Sequence, residues 1–184
     1  MATETEIKLR IRDGVDSAYT RIQALGYQIR TPRQLEADQL YDRATGELRQ
    51  ADQVLRLRTR GQRSTLTYKG PAQRAPHKSR EEIELDVSDG SAFAVVLAKL
   101  GYQPAFRYEK YRTTFAAADQ PGIITMDETP AGDFLELEGP AAWIDSTALN
   151  LGYSLADYIT ESYASLWCAY CEKDSSAVPS AMVF

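Results

Sequence analysis

The stretch ETEIKLRI, residues 4–11, alternates charged and aliphatic side chains. This period of two is typical of a β-strand, and it places Ile7, Leu9 and Ile11 on one face. The opposite face carries acidic and basic groups together: Glu4, Glu6, Lys8 and Arg10. Such a face is either the solvated side of a sheet or the wall of a channel that holds a charged ligand.

The composition fits one globular domain. The chain has 184 residues, of which 43% are hydrophobic and 26% are charged. No apolar run is long enough to span a membrane, and the N-terminal residues resemble neither a signal peptide nor a transit segment. We therefore expect a cytoplasmic protein with no membrane partner. The formal net charge of −5 argues against a general nucleic-acid binder, because such proteins usually carry a basic excess.

Two parts of the sequence repeat. EIKLRIRDG at 6–14 resembles EIELDVSDG at 82–90, and LGYQ at 25–28 returns at 100–103. A third Leu-Gly-Tyr occurs at 151–153. Two copies are too few for a solenoid, so the pattern predicts an internal duplication of strand, helix and further strands within one pseudo-symmetric domain.

Hydrophobic periodicity predicts the remaining elements. We expect helices at 15–25, 93–100, 144–151 and 155–171. We expect further strands at 38–43, 53–60, 64–69, 79–87, 106–116, 122–128 and 133–138. A proline-containing loop is expected at 70–78. Residues 1–172 are expected to form a single domain, followed by a flexible tail at 173–184.

The predicted strands carry charge on one face, and the sign of the charge changes along the chain. Basic residues dominate 56–69 and 110–112, whereas carboxylates dominate 127–138. The helices have apolar stripes that need a sheet surface to cover, so the charged faces are expected to line the lumen of a closed barrel. A dry and empty lumen of this kind would be unstable, but water, metal ions and a polyanion would fill it. Lysine and arginine suit phosphate oxygens, and clustered carboxylates suit Mg²⁺ or Mn²⁺.

These motifs resemble the CYTH family, also called the triphosphate tunnel metalloenzymes. The hallmark ExExK is Glu4-Thr-Glu6-Ile-Lys8, and it is followed in order by LRLR, TYKGP, SREEIEL, YEKYR and MDETPAGDFLELEG. The resemblance runs from residue 4 to about residue 165. It implies an α+β fold with a closed eight-stranded antiparallel barrel, a charged lumen and helices packed outside.

The resemblance also implies how the charged residues are used. It implies triphosphate binding by Lys8, Arg56, Arg58, Lys69, Arg80, Lys110 and Arg112. It implies binding of Mg²⁺ or Mn²⁺ by Glu4, Glu6, Asp127, Glu136 and Glu138. Two further carboxylates, Glu82 and Glu84, are expected either to join the metal or to pair with tunnel arginines. No general base can be assigned from the sequence.

The family members that the chain resembles divide by reaction. EIKLR, the duplicated halves and FLELEG look closest to the bacterial class IV adenylyl cyclase group, which converts ATP to cyclic AMP and pyrophosphate. A triphosphatase acting on inorganic triphosphate, thiamine triphosphate or a nucleoside triphosphate is the alternative within the same tunnel. A non-catalytic nucleotide or polyphosphate sensor is the alternative outside enzymes.

Other chemistry has little support in the sequence. There is no P-loop, GxSxG or HExxH, and the single histidine, His77, argues against a histidine-based triad and against a zinc site. Cys168 and Cys171 have CxxC spacing, but they fall near the end of a predicted helix, so we interpret them as packing residues. Aromatic residues near the C-terminus permit a homodimer, although core packing is their commoner role: Tyr158, Tyr163, Trp167 and Tyr170.

Overall fold

The computed structural model describes residues 2–173 and 181–184 of the chain. The strands are β1 (Ala2–Arg10), β2 (Gln28–Asp42), β3 (Val54–Arg60), β4 (Arg63–Lys69), β5 (Gln73–Arg74), β6 (Lys78–Val87), β7 (Gln103–Ala116), β8 (Ile123–Thr129), β9 (Gly132–Glu138) and β10 (Ala181–Met182). The helices are α1 (Val15–Ala24), α2 (Glu47–Gln50), α3 (Gly90–Lys99), α4 (Ala141–Asn150) and α5 (Tyr163–Lys173). None of the helices in these ranges is long and apolar enough to cross a membrane.

Eight strands of the described chain close into an antiparallel barrel. Their order is β1-β9-β8-β7-β2-β3-β4-β6, and β6 pairs back onto β1. The short strands β5 and β10 pair with β6 and β7, outside this closed path. The predicted α+β fold with an eight-stranded closed barrel is therefore confirmed.

The predicted internal duplication is visible in the strand order. Exchanging β1 with β6, β2 with β7, β3 with β8 and β4 with β9 reproduces the same circular order. The halves meet at four pairings, of which β1–β6 and β2–β7 each join equivalent strands of the two halves. In each half the first strand leads directly into a helix, α1 after β1 and α3 after β6, as the repeated sequence predicts.

The three Leu-Gly-Tyr segments all end helices in the same way. Gly26, Gly101 and Gly152 have φ values of 86°, 86° and 85°, in the left-handed region that glycine adopts without a steric cost. In the third copy the amide of Tyr153 donates to the carbonyl oxygen of Ala148 at 2.9 Å, which satisfies the last turn of α4. The third Leu-Gly-Tyr is thus a helix-ending motif and not a third repeat.

The main hydrophobic core lies outside the barrel, beneath α1 and α4. The outward-facing residues of β1 and β9, including Ile7, Leu9 and Leu137, are fully buried against Ile22 and Ile144 of these helices. Complete burial of each such side chain contributes about 1.5–3 kcal/mol. Because the apolar faces point outward to the helices, the alternate charged residues point into the barrel.

β2 is much longer than the sequence indicates. The sequence predicts a strand at 38–43, whereas β2 begins at Gln28 and pairs with β7 along its length. The pairing register between β2 and β7 shifts on either side of Thr31, close to Pro32. Because these irregularities interrupt the alternation of side chains, the polar first half of β2 shows no regular period of two.

The predicted helix at 155–171 is wrong in its first half. Leu155–Asp157 form a 3₁₀ turn, and the backbone of Ile159 then pairs with Lys8 of β1. The α-helix begins only at Tyr163, where the Ser162 hydroxyl accepts a hydrogen bond from the Ser165 amide at 3.1 Å. This serine cap sets the start of α5.

Of the flexible tail predicted at 173–184, the structure describes Lys173 and residues 181–184, and residues 174–180 lie outside the described residues. Lys173 is the last residue of α5, and Met182 of β10 is fully buried. β10 pairs in parallel with Arg107 and Tyr108, on the part of β7 that lies beyond the β8 pairing. The end of the chain therefore covers an otherwise open strand edge.

The backbone of Gly122 lies against the Trp143 ring, so substitution of this glycine tests the packing outside the barrel. A Cβ atom at Gly122 would overlap the Trp143 ring and lie 2.7 Å from the carbonyl oxygen of Glu138. We expect Gly122→Ala to lower the free energy of unfolding by about 1–3 kcal/mol, measured by urea denaturation. Gly70→Ala is the matched control, because a Cβ there meets the Cβ of Glu81 at an ordinary 3.4 Å. An equal loss in the two variants would contradict the packing argument.

Candidate functional site

The inner faces of the barrel strands enclose a tunnel with a cavity volume of about 630 Å³. Its wall is made by the side chains that alternate with the core residues along each strand. All but one of the predicted ligand-binding residues lie on this wall: Lys8, Arg56, Arg58, Lys69, Arg80, Lys110, Arg112, Glu4, Glu6, Glu82, Glu84, Glu136 and Glu138. The exception is Asp127, which is fully buried behind the wall.

Aromatic side chains close one end of the tunnel. Tyr163, the first residue of α5, is 5% exposed, and its ring lies 5.7 Å from that of Phe134 and 6.0 Å from that of Tyr108. The chain reaches this position because Ile159 takes the place of β6 beside Lys8. The C-terminal helix thus contributes to the lumen, whereas the sequence places every helix outside the barrel.

The opposite end of the tunnel is open and polar. At this end the Glu84 side chain is 51% exposed and that of Arg60 is 38% exposed. Arg30, Thr31 and further polar groups complete this mouth. Among the described residues that line the cavity, the aromatic rings are those of Tyr108 and Tyr163, both at the closed end.

Four predicted phosphate-binding residues point into the lumen beside carboxylates. Lys8 Nζ lies 3.3 Å from Glu136, and Lys69 Nζ lies 2.6 Å from Glu4 and 3.1 Å from Glu82. Lys110 Nζ donates to Asp127 at 2.8 Å, and Arg112 contacts both Asp127 and Glu136. The lumen therefore holds paired charges, and an incoming anion would compete with these carboxylates for the same donors.

The remaining predicted arginines differ in how they are held. Arg56 donates to Thr67 at 3.0 Å and lies 3.5 Å from Glu84, towards the lumen. Arg58 is bound on two sides by buried carboxylates. Arg80 lines the cavity, but it donates to the backbone oxygens of Gly70 at 2.9 Å and Asp52 at 2.8 Å. Arg80 therefore fastens the tunnel wall to the loop before β5.

The wall carboxylates of β1 and β9 face one another. Glu6 pairs in register with Glu138, and Lys8 with Glu136. Burial, and then repulsion from Glu6, raise the pKa of Glu4 to about 7 in spite of Lys69. Burial and the nearby Glu4 likewise raise the pKa of Glu138 to about 7. Burial acts against ionisation of Glu136 too, but Arg112, Lys110 and Lys8 hold its pKa well below the usual range. Glu4 and Glu138 therefore have too few cationic neighbours to offset the effect of desolvation and carboxylate repulsion on their pKa values.

Asp127 has a different environment from the other predicted metal ligands. Its oxygens accept hydrogen bonds from Lys110 at 2.8 Å, from Arg112 at 2.6 Å and from the Tyr163 hydroxyl at 2.6 Å. These donors engage both carboxylate oxygens. Asp127 thus links the basic residues Lys110 and Arg112 to Tyr163 at the aromatic end. It is not grouped with the Glu4 and Glu138 carboxylates.

The carboxylates are not preassembled around an ion position. Within residues 2–173 and 181–184, no three Asp, Glu, His or Cys side chains are arranged as a metal site. A cation could bind at the wall if Glu4 turned from Lys69, or Glu6 from Lys78, towards Glu138.

The structure adds wall residues that the sequence analysis did not identify. Lys78 Nζ lies 2.6 Å from Glu6, at a position that the sequence assigned to a loop. The Thr125 hydroxyl is buried beside the cavity without a hydrogen-bond partner. Behind the wall, Glu36 and Asp38 of β2 were also not identified. The alternation of Glu36, Asp38 and Leu40 is a usable signal within a strand whose predicted length is too short. Tyr163 could not be placed, because its position depends on the start of α5.

The histidine and the cysteines are not part of the tunnel wall. His77 Nε2 lies 2.8 Å from Asp145 of α4, and Cys168 and Cys171 lie on α5 with Cys171 buried.

Comparisons with known proteins identify the family. A family model described as the CYTH domain matches residues 2–146. A candidate adenylate cyclase of Methanocaldococcus jannaschii is 30% identical over 135 residues, which is 73% of this chain and 75% of that protein.

Solved structures share the fold. A candidate adenylate cyclase from Vibrio parahaemolyticus has a TM-score of 0.78 at 20% identity, covering 89% of this chain and 96% of that one. A candidate adenylyl cyclase from Hippeastrum, described as having a dominant triphosphatase activity, has a TM-score of 0.65 at 17% identity, covering 96% and 98%. These likenesses support the barrel, and the family model together with the Methanocaldococcus relative establishes that the chain belongs to the CYTH domain family.

Proposed function

We propose that this chain is an enzyme that binds the triphosphate group of a small molecule in its tunnel and, with Mg²⁺ or Mn²⁺, hydrolyses the terminal phosphoanhydride bond. The observation that carries the proposal is the lumen itself, where lysines and arginines from six barrel strands converge on one cavity of about 630 Å³. A triphosphate is a linear polyanion whose oxygens match these donors along the tunnel.

The shape of the cavity favours hydrolysis over cyclisation. A cyclase must hold an adenine ring and direct a ribose hydroxyl at the α-phosphorus. A nucleoside would have to lie in the open mouth, because Tyr163 and Phe134 close the other end. The mouth offers Arg30, Arg60 and Glu84 but no aromatic ring among the described lining residues, so it lacks a stacking surface for a base.

Adenylyl cyclase activity is the second candidate, and a specific comparison favours it. The Methanocaldococcus relative at 30% identity is named as a candidate adenylate cyclase. This name agrees with the sequence motifs, which look closest to the class IV adenylyl cyclase group. The Hippeastrum protein, by contrast, is described as having a dominant triphosphatase activity. The shared fold is compatible with both reactions.

The carboxylates of β1, β6 and β9 have the chemistry to hold a divalent cation. Glu4 is half-buried and Glu138 is exposed, and both line the cavity. Their pKa values are raised to about 7, which means that they lack a positive charge that a cation would supply. Glu6, Glu82 and Glu136 lie beside them, and we assign these five residues to the metal. Asp127 fits this role less well, because Lys110, Arg112 and Tyr163 already engage it. Bound Mg²⁺ or Mn²⁺ would neutralise phosphate oxygens and lower the pKa of a nearby water.

The chain's own residues would position and neutralise the substrate. Lys8, Lys69 and Lys110 exchange their carboxylate partners for phosphate oxygens, and Arg112 offers a planar guanidinium to the same chain of oxygens. Water attacks the terminal phosphorus, and the bond to the bridging oxygen breaks. The products are orthophosphate and a diphosphate.

Product identification tests the proposal directly. The protein is incubated with inorganic triphosphate, thiamine triphosphate or ATP, each with Mg²⁺ or Mn²⁺, and the products are separated by ion-exchange chromatography. We expect orthophosphate with the corresponding diphosphate, and no cyclic AMP. Cyclic AMP with pyrophosphate from ATP would replace the hydrolase with the cyclase, and binding without turnover of any triphosphate would indicate a sensor.

Substitution of a proposed metal ligand separates binding from turnover. Glu138→Ala removes a carboxylate but no cation, so we expect turnover to fall by about 10²-fold or more while metal-free affinity for inorganic triphosphate is kept or increased. Turnover is followed by phosphate release and affinity by calorimetry. Glu81→Gln, on the outer face of β6, is the control and should match the parent chain. Unchanged turnover in Glu138→Ala would exclude this glutamate from the metal site.

The raised pKa values of Glu4 and Glu138 predict how stability depends on pH. Both pKa values rise from an ordinary value of 4.5 to about 7 in the folded chain, so the folded chain binds more protons than the unfolded chain between these values. The free energy of unfolding contributed by these groups therefore falls as the pH increases from about 4.5 to about 7. We expect Glu138→Gln to show a weaker fall than the parent chain in metal-free urea denaturation, and Mn²⁺ to restore stability at about pH 8 in the parent. Parallel pH profiles would contradict the assignment.

A further inference from the structure

Two carboxylates on β2 stand out in a tunnel that is proposed to bind an anion. Glu36 and Asp38 are each 1% exposed, and both point towards the inside of the barrel between the arginines of β3 and the basic residues of β7. Neither belongs to the carboxylates assigned to the metal, which lie on β1, β6 and β9.

Glu36 and Asp38 hold Arg58 from two sides. Asp38 accepts hydrogen bonds from Nε of Arg58 at 2.7 Å and from Nη2 at 3.2 Å, and Glu36 lies 3.1 Å from Nη1. A guanidinium has five N–H donors in one plane, so the two hydrogen bonds to Asp38 fix the plane and leave three N–H groups. Glu36 adds an ion pair to this guanidinium on its Nη1 side. Arg58 lines the cavity, and its remaining donors are available to a ligand there.

The same carboxylates reach the neighbouring arginines. Glu36 accepts a hydrogen bond from Nε of Arg60 at 2.5 Å, and Asp38 lies 3.4 Å from Nε of Arg56. Arg56, Arg58 and Arg60 follow one another on the inner face of β3. Two acidic residues thus contact three successive guanidinium groups, with hydrogen bonds to Arg58 and Arg60 and a longer ion pair to Arg56.

Simple attraction of an anion does not explain two buried carboxylates at this place. Each adds negative charge that repels a phosphate, and each must be desolvated at a cost of several kcal/mol unless it is fully paired. Burial would raise the pKa of Glu36, but Arg58, Arg112, Lys110 and Arg60 lower it to about 2, so it is ionised at neutral pH. The orientation of the guanidinium groups is a benefit that offsets this electrostatic cost.

We propose that Glu36 and Asp38 are positioning residues, which fix the guanidinium of Arg58 and its neighbours so that their free N–H groups face the triphosphate chain. The proposal rests on the proposed function, because it takes the tunnel as the triphosphate site. Neither carboxylate contacts the substrate itself. Both act through the arginines.

The test compares substitutions of similar shape. Asp38→Asn and Glu36→Gln keep the size of the side chain and remove its charge, and Asp38→Glu keeps the charge. Glu109→Gln is the matched control, because Glu109 pairs with Arg107 at 2.6 Å on the outer face of β7. The readouts are kcat and KM for inorganic triphosphate with Mn²⁺, metal-free affinity for inorganic triphosphate by calorimetry, and the thermal unfolding midpoint.

Positioning and charge balance predict different results. If the carboxylates position Arg58, kcat falls by about 10²-fold in Asp38→Asn, KM changes much less, and Asp38→Glu recovers part of kcat. The double variant Asp38→Asn with Arg58→Lys should then be no slower than Arg58→Lys alone. If the carboxylates only balance charge, Asp38→Asn binds triphosphate more tightly with kcat unchanged, and the proposal is overturned. A lower unfolding midpoint with unchanged kcat would overturn it as well.

Failure of the proposed function gives a separate result. If the parent chain turns over no triphosphate, the positioning role is read from metal-free binding of inorganic triphosphate in the same double-mutant cycle. Non-additive losses for Asp38→Asn and Arg58→Lys support it, and additive effects, or no binding by the parent chain, overturn it.

Discussion

The pairing of opposite charges inside a closed barrel is the constraint on which the rest of this structure depends. Buried lysines, arginines and carboxylates are tolerated only when each is paired or hydrogen-bonded, and here neighbouring strands supply the partners, as in Lys8–Glu136 and Arg58–Asp38. The pairing requires the barrel to close, because β1 must lie beside both β6 and β9 to bring Glu4 to Lys69 and Lys8 to Glu136. The lumen is thus a set of hydrogen-bond donors that the carboxylates of neighbouring strands hold in place.

Closure also divides the two ends of the tunnel between different tasks. The C-terminal segments, Ile159 beside β1 and β10 beside β7, cover strand edges that the staggered barrel leaves open. They bring Tyr163 onto Asp127, which in turn holds Lys110 and Arg112. The aromatic end therefore holds the basic groups in place, and the opposite end is polar and open.

The sequence allowed the barrel and most of its wall to be predicted, because strand alternation is a local property. In EIKLRI every second residue faces the lumen. The similar segment EIELDV indicated the duplication that is seen in the pseudo-symmetric strand order. Features set by distant contacts were missed. Tyr163 enters the lumen only because the chain after α4 pairs with β1, and the helix predicted at 155–171 hid this crossing. Glu36 and Asp38 were not identified because the strand was predicted to begin at residue 38, which cut short the alternation of Glu36, Asp38 and Leu40. The partners of a buried tunnel carboxylate also depend on cross-strand contacts, as the hydrogen bond from Arg112 to Asp127 illustrates.

A crystal structure of the protein with Mn²⁺ and the slowly hydrolysed analogue imidotriphosphate would show directly whether the tunnel binds a triphosphate chain. We expect density for three linked phosphoryl groups inside the tunnel, between Lys8, Lys69 and Arg112, and an anomalous manganese peak beside Glu4 and Glu138. A tunnel that keeps the Lys8–Glu136 and Lys69–Glu4 ion pairs, with the analogue bound elsewhere on the chain, would contradict this expectation.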